Sequence, residues 1–140
     1  MLIGTKGRYA LRLMVFIAAS GENGRVALRR VADAEGISLK YLEQLAHLLV
    51  KAGLLESSRG QGGGYLLTRD ASDIKVGDVL RAVEGTTAPV DCNGLSGGCS
   101  REDVCSTVQF WNGLNSVIEE YVDGVTLADL ASTSHVALIP

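Results

Sequence analysis

The chain has 140 residues, 46% of them apolar, with two prolines and no period among its 17 glycines. That is one ordinary domain with enough apolar mass for a core, which excludes disordered, collagen-like and solenoid classes. The net charge of −3 is spread unevenly: residues 1–70 hold ten Lys or Arg against six acids, and residues 71–140 hold three against ten. Such a split allows a cationic working face on an anionic body.

Lys6 and Arg8 precede an apolar stretch ending in Ala18-Ala19-Ser20, the outline of a secretory leader. Arg12 interrupts it and leaves only seven uncharged residues, Leu13 to Ala19, where a membrane span needs about 18–20. A cytoplasmic chain with no membrane partner is expected. Residues Thr5–Ser20 instead form an amphipathic helix with Tyr9, Leu13, Phe16 and Ile17 on one face. A second helix is predicted over Ala27–Glu35, burying Leu28, Val31 and Ala32 and stopped by Gly36.

Ser38 is a natural N-cap for a third helix reaching about Ala52. Its apolar stripe is Leu42, Leu45, Leu48, Leu49 and Ala52, and Lys40, Glu43, Gln44, His47 and Lys51 recur on the opposite side. A helix, a tight glycine turn and a helix with a hydrogen-bonding outer face make the helix-turn-helix pattern. Two short strands follow, Leu54–Ser58 and Tyr65–Thr68, around the glycine-rich tip Arg59-Gly60-Gln61-Gly62-Gly63-Gly64. Directly after a helix-turn-helix this hairpin reads as a wing, with Arg59 as the cation that reaches a DNA backbone or a narrow minor groove. A phosphate-cradling loop is the rival reading of these glycines. The run lacks both the last glycine of G-x-G-x-x-G and a G-K-[ST] ending, and it leads into a strand.

A fourth helix is expected over Asp73–Glu84, with Val76, Val79, Leu80 and Val83 inward, followed by a long loop from Thr86 to about Asp103 almost without apolar anchors. Val104, Val108, Trp111, Asn115, Ile118, Val122 and Val125 then recur in an unbroken heptad register. This marks a dimerisation helix. Leu114, Val117 and Tyr121 give it a second apolar flank, so it could pack on its own domain and on a partner, with Asn115 fixing register. A last short helix begins at Thr126-Leu127-Ala128-Asp129-Leu130.

All three cysteines, Cys92, Cys99 and Cys105, fall in one glycine-bearing window as C-x6-C-x5-C. An odd number in a cytoplasmic chain opposes a disulfide framework, and the loop setting opposes core filler. Three thiolates from one loop suit a soft metal centre. The spacing lacks the close C-x2–4-C pair of structural zinc and matches neither ferredoxin pattern, which ranks an iron–sulfur cluster ahead of zinc and a metal-free thiol switch third. The fourth ligand stays open among Asp91, Glu102, Asp103, a partner residue or an exogenous group, and neither His47 nor His135 is well placed by sequence.

These residues together resemble a known family. Thr5-Lys6-Gly7-Arg8-Tyr9-Ala10, Ile37-Ser38-Leu39-Lys40-Tyr41-Leu42-Glu43-Gln44-Leu45, the wing Arg59 to Leu67 and the three-cysteine loop followed by Trp111 look like the IscR-type iron–sulfur cluster regulators, which include NsrR and CymR. The likeness runs through Leu130. It implies a mainly α fold with a small β-hairpin: a winged helix-turn-helix DNA-binding domain over residues 1–84, a cluster loop over 85–105, and a dimerisation helix with its tail over 106–140. It further implies a homodimer on double-stranded operator DNA. Ser38, Lys40, Tyr41, Glu43 and Gln44 would face the operator, Arg59 would enter the minor groove, and Cys92, Cys99 and Cys105 would hold the cluster. Two positions depart from the pattern. The family histidine three residues after the last cysteine is Val108 here, and the N-terminal aspartate of NsrR-type members is Arg8. The fourth ligand is thus unassigned, with [2Fe–2S] favoured over [4Fe–4S]. A zinc-binding or thiol-switched winged-helix repressor is the alternative, and a winged helix that binds protein instead of DNA is another. An enzyme is a poor fit, because the two histidines have no partner that would make either a general base.

Overall fold

The computed structural model describes residues 3–20, 25–90, 100–101 and 103–137, the last five of these as backbone only. Its elements are α1 (Thr5–Ala19), α2 (Leu28–Glu35), α3 (Leu39–Lys51), β1 (Leu55–Ser58), β2 (Gly64–Leu67), α4 (Val76–Glu84), α5 (Val108–Gly124) and α6 (Leu127–Ala137). No described helix is long and apolar enough to cross a membrane.

The helical spacing of apolar residues decides what each helix buries. Ala10, Leu13, Met14 and Ile17 of α1 form one stripe and meet Leu28 and Val31 of α2 and Leu42, Leu45, Ala46 and Leu49 of α3 in a single core. Tyr9 and Phe16, from the predicted face of α1, are half-buried against that core, as is Ala32 of α2. The turn between α2 and α3 needs a left-handed residue. Gly36 supplies it at φ +68°, its N–H donating to Ala32 O at 2.9 Å. Ser38 then caps α3, its Oγ accepting from Tyr41 N at 3.1 Å.

β1 and β2 pair antiparallel, with Leu55 opposite Leu67 and Ser58 opposite Gly64. The hairpin is tied to the chain entering α2, because Val26 and Tyr65 exchange both backbone hydrogen bonds, at 2.8 and 2.9 Å. The wing is thereby fixed to the helix-turn-helix and does not hang from it.

Beyond the wing the structure departs from the expected elements in four places. The fourth helix does not run from Asp73. A single 3₁₀ turn, Ala71–Asp73, comes first, with Asp70 Oδ1 accepting from Ser72 N at 3.0 Å, and α4 starts at Val76. The intervening Ile74 and Lys75 are extended because they pair with the α5–α6 joint, through Val76 N to Val125 O at 2.9 Å and Leu127 N to Ile74 O at 3.0 Å. The segment after Gly85 has anchors of its own, since Thr87 and Pro89 are buried. The heptad register does not make one continuous helical seam either. Val104 lies in a turn ahead of α5 and is 73% exposed, whereas Val122, Ile118 and Val125 pack with Val76 and Leu80 of α4 in a second cluster. Finally, α6 runs eleven residues, longer than its opening suggests, and packs back on α1 with Leu127 fully buried. It starts with a capping box in which Thr126 N donates to Asp129 Oδ2 (3.0 Å) and Asp129 N to Thr126 Oγ1 (3.1 Å).

Candidate nucleic-acid interface and cysteine segment

The outer face of α3 is built by subtraction. Leu42, Leu45, Ala46 and Leu49 are drawn into the core, so the intervening positions Lys40, Glu43, Gln44, His47 and Lys51 must point to solvent, and all five are exposed. Lys40, Tyr41, Glu43, Gln44 and His47 line an open hollow of about 500 Å³, and its other wall is Lys6 of α1. Tyr41 is half-buried, its ring edge-on to Tyr9 with centroids 5.9 Å apart, so it joins α3 to α1 as well as facing the hollow. Ser38 stands exposed at the start of α3; its oxygen is used in the cap, and its O–H remains available as a donor.

Arg59 is exposed at the turn into the wing, whose tip closes with Gly63 N donating to Gly60 O at 2.9 Å. The structure brings the α3 residues together in one hollow and leaves Arg59 apart from them on the hairpin. The charges sort in a telling way. The ion pairs among the described residues are Arg12–Glu35 at 3.0 Å, Arg69–Asp78 at 3.8 Å, Arg81–Asp78 at 4.0 Å and Arg81–Asp123. None of them involves Lys6, Lys40, Lys51 or Arg59. Those cations face solvent with no acidic partner among the described residues, which is the arrangement a polyanion can use. The sequence pattern did not single out Lys6 as a site residue, because its nearness to α3 is a product of packing across more than thirty residues. The hints were the local excess of bases over acids in residues 1–70 and the place of Lys6 in the family-like Thr5–Ala10 stretch.

Of the cysteines, Cys105 is described; Cys92 and Cys99, with Asp91 and Glu102, lie outside the described residues. Cys105 sits half-exposed three residues before α5, its Sγ 3.3 Å from Thr107 Oγ1. The Thr107 hydroxyl and then its backbone N–H hold the thiol below its ordinary range, favouring the thiolate that ligates metals. Val108, which opens α5, offers no ligating atom. No group of three metal-ligating side chains assembles among the described residues. Asn115 is half-buried on α5, and its Oδ1 has no hydrogen-bond partner among the described residues.

The α5 helix has an outward face of the opposite kind. Phe110, Val117 and Tyr121 are 62%, 63% and 71% exposed, and their spacing of seven and four residues sets them on one face of the helix, as in an interaction surface.

Comparison with known proteins finds likeness in both sequence and fold. The model of the Rrf2 family, described as an iron-dependent transcriptional regulator, matches residues 3–133. The HTH-type transcriptional regulator IscR of Klebsiella pneumoniae (strain 342) is 41% identical over 136 residues, 97% of this chain and 83% of that protein. Among solved structures, T. potens IscR superposes with a TM-score of 0.79 at 36% identity, covering 100% of this chain and 93% of that one. CymR, the global cysteine regulator of B. subtilis, superposes with a TM-score of 0.78 at 36% identity, covering 95% and 98%.

Proposed function

Since the chain belongs to the Rrf2 family of transcriptional regulators, and is a DNA-binding regulator and not an enzyme on that ground, we propose that it works in the cytoplasm as a homodimer whose grip on an operator is set by an iron–sulfur cluster. The observation that carries this reading is the pairing, on one chain, of an α3 face whose Lys40 and Lys51 have no acidic partner among the described residues with an α5 face of exposed apolar side chains. The first suits a polyanion and the second a protein surface.

In this reading residues 1–84 form the DNA-binding head, 85–105 the cluster segment and 106–140 the dimerisation helix with its tail, α6 returning to brace the head. Each protomer lays α3 in a major groove, the two helices about one helical turn apart on a roughly palindromic site. Lys40 and Gln44 contact base edges or phosphates, together with Lys51 farther along the helix. Glu43 accepts from cytosine N4 and repels phosphate, so it sharpens selectivity more than it raises affinity. Ser38 and Tyr41 contact the strand at the start of α3, and Arg59 enters the minor groove, where a narrow groove attracts arginine. The outer flank of α5, Phe110, Val117 and Tyr121, meets the same flank of a second copy.

Cys92, Cys99 and Cys105 would hold the cluster as thiolates, and the bias of Cys105 toward the thiolate fits that role. Val108 and Arg8 cannot complete the ligand set, so the fourth ligand comes from elsewhere, with [2Fe–2S] preferred over [4Fe–4S]. When bound, the cluster supplies a site sensitive to iron supply and oxidants. Cys105 lies three residues before α5, so a change in the cluster segment bears on the start of the dimer helix. The signal then needs only a different DNA affinity for two placements of the heads. The half-exposed thiol of Cys105 favours one second reading, a thiol-switched or zinc-binding repressor.

The test is an absorption spectrum of protein purified without oxygen, with iron and acid-labile sulfide analysis. Absorbance between roughly 320 and 600 nm with matching iron and sulfide is expected, to be lost in Cys92→Ala, Cys99→Ala and Cys105→Ala while the fold and dimer persist. A variant that keeps its colour would break the ligand assignment. A wild-type protein that stays colourless after reconstitution would move the reading to zinc or thiol sensing.

A further inference from the structure

Lys6 lies on α1, outside both the helix-turn-helix and the wing, yet it lines the hollow over the outer face of α3. Three observations separate it from the other bases of α1. Arg12 is engaged, bonded to the Glu35 carboxylate at 3.0 Å and stacked over Tyr9 at 5.4 Å. Arg8 also lies over the Tyr9 ring, at 5.8 Å. Lys6 is exposed and has no acidic partner among the described residues.

The backbone that carries Lys6 is held firmly. Gly4 N, just ahead of α1, donates to Glu84 Oε2 at 2.7 Å. Gly7 is buried against α4, where an added Cβ would lie 3.2 Å from both Leu80 Cδ2 and Glu84 Cγ and 2.7 Å from Ile3 Cγ2. With Gly7 turned to α4, its neighbour Lys6 is rotated about 100° round the helix, toward the hollow. A cation on a fixed backbone loses less freedom on binding than one on a loop.

We propose that Lys6 is a positioning residue of the DNA interface: it contacts a phosphate beside the groove that α3 enters and so sets the depth and angle of that helix. This inference rests on the DNA-binding reading. Its chemistry follows from placement. A base edge lies on the axis of the helix that enters the groove, whereas Lys6 projects from a different helix at the side of α3, where the sugar–phosphate strand runs. A lysine is a point charge on a flexible stem, suited to phosphate and poor at base discrimination. Glu43, which lines the same hollow as Lys6 and Lys40, repels phosphate, so the two lysines are the groups there that can take one.

The test is fluorescence anisotropy at rising salt for wild type, Lys6→Ala and Lys6→Arg. The probes are a random-sequence duplex of about 30 base pairs and a duplex selected by the wild-type protein from a randomised library. Lys6→Ala should weaken binding to both duplexes by the same factor. Its disadvantage should shrink about 12-fold between roughly 50 and 200 mM salt, the signature of one lost phosphate contact in each protomer of the bound dimer. Lys6→Arg should restore the wild-type slope, and all three proteins should melt at the same temperature because the side chain is exposed. Equal affinities and slopes for wild type and Lys6→Ala would overturn the proposal, as would a loss confined to the selected duplex. A wild-type protein with no salt-dependent binding to either duplex would overturn the DNA-binding reading itself.

Discussion

Both α3 and α5 are two-faced helices whose inner stripe is consumed by the fold, and they differ in what the outer face carries. On α3 it is Lys40, Glu43, Gln44, His47 and Lys51; on α5 it is Phe110, Val117 and Tyr121. Burying either inner face contributes to the same folded unit, α3 in the main core and α5 in the smaller cluster with Val76 and Leu80. The outer faces cannot be explained by stability. Exposed lysines without partners add little to it, and exposed aromatics oppose it. The difference is what the proposed function uses: the outward chemistry of α3 suits a polyanion and that of α5 an apolar surface.

The largest expected effect comes from giving α5 the kind of face that α3 has. Val117→Asp with Tyr121→Asp would place charges in a dry contact at a cost of about 3 kcal/mol or more, raising the dimer dissociation constant at least about 100-fold. Sedimentation equilibrium reads that change; the helical circular dichroism of each protomer should persist because both positions are exposed on it, while the melting temperature falls with the lost dimer. Operator affinity should fall with the dimer, since two heads on one site bind by avidity. An intact dimer in this variant would remove α5 from the interface.

A smaller effect belongs to the wing. Arg59→Ala should cost about 1–3 kcal/mol of operator affinity per protomer if the side chain reads the minor groove, or lower the salt slope by about one phosphate per protomer, two for the dimer, if it touches the backbone. Binding that is unchanged in both respects would take the wing out of the interface, leaving α3 alone.

The smallest effect concerns the joint between the two regions. Asp129 is held below the ordinary carboxylate range by the Thr126 backbone N–H and then the Thr126 hydroxyl, with a lesser contribution from Lys75. The folded state therefore binds fewer protons than the unfolded one at low pH. Its stabilisation is complete above the unfolded value of about 3.9 and is lost as pH falls through the lower folded value. The stability difference between wild type and Asp129→Asn, measured by urea unfolding, should be constant above about pH 5 and shrink on acidification. A difference independent of pH would contradict the capping role.

The head was legible in the sequence because its information is local. Ser38 and Gly36 are adjacent cap and turn signals, the α3 stripe repeats within one helix, and Tyr65-Leu66-Leu67 follows a glycine run that can only turn. What was not legible depends on contacts between distant segments. Ile74 and Lys75 leave the helical pattern because Val125 and Leu127 pair with them. The heptad register of α5 reads as one seam, but Val76 and Leu80 capture its C-terminal part and transfer the free apolar surface to Val117 and Tyr121. Lys6 counts as one more base until α1 sets it beside α3.

The most direct measurement is a hydroxyl-radical footprint on a duplex selected by the protein itself. Two heads joined through α5 predict two symmetric protected patches with centres about one helical turn apart. A single protected patch, or protection without symmetry, would contradict the account of α3 as the DNA-facing helix of a dimer built on α5.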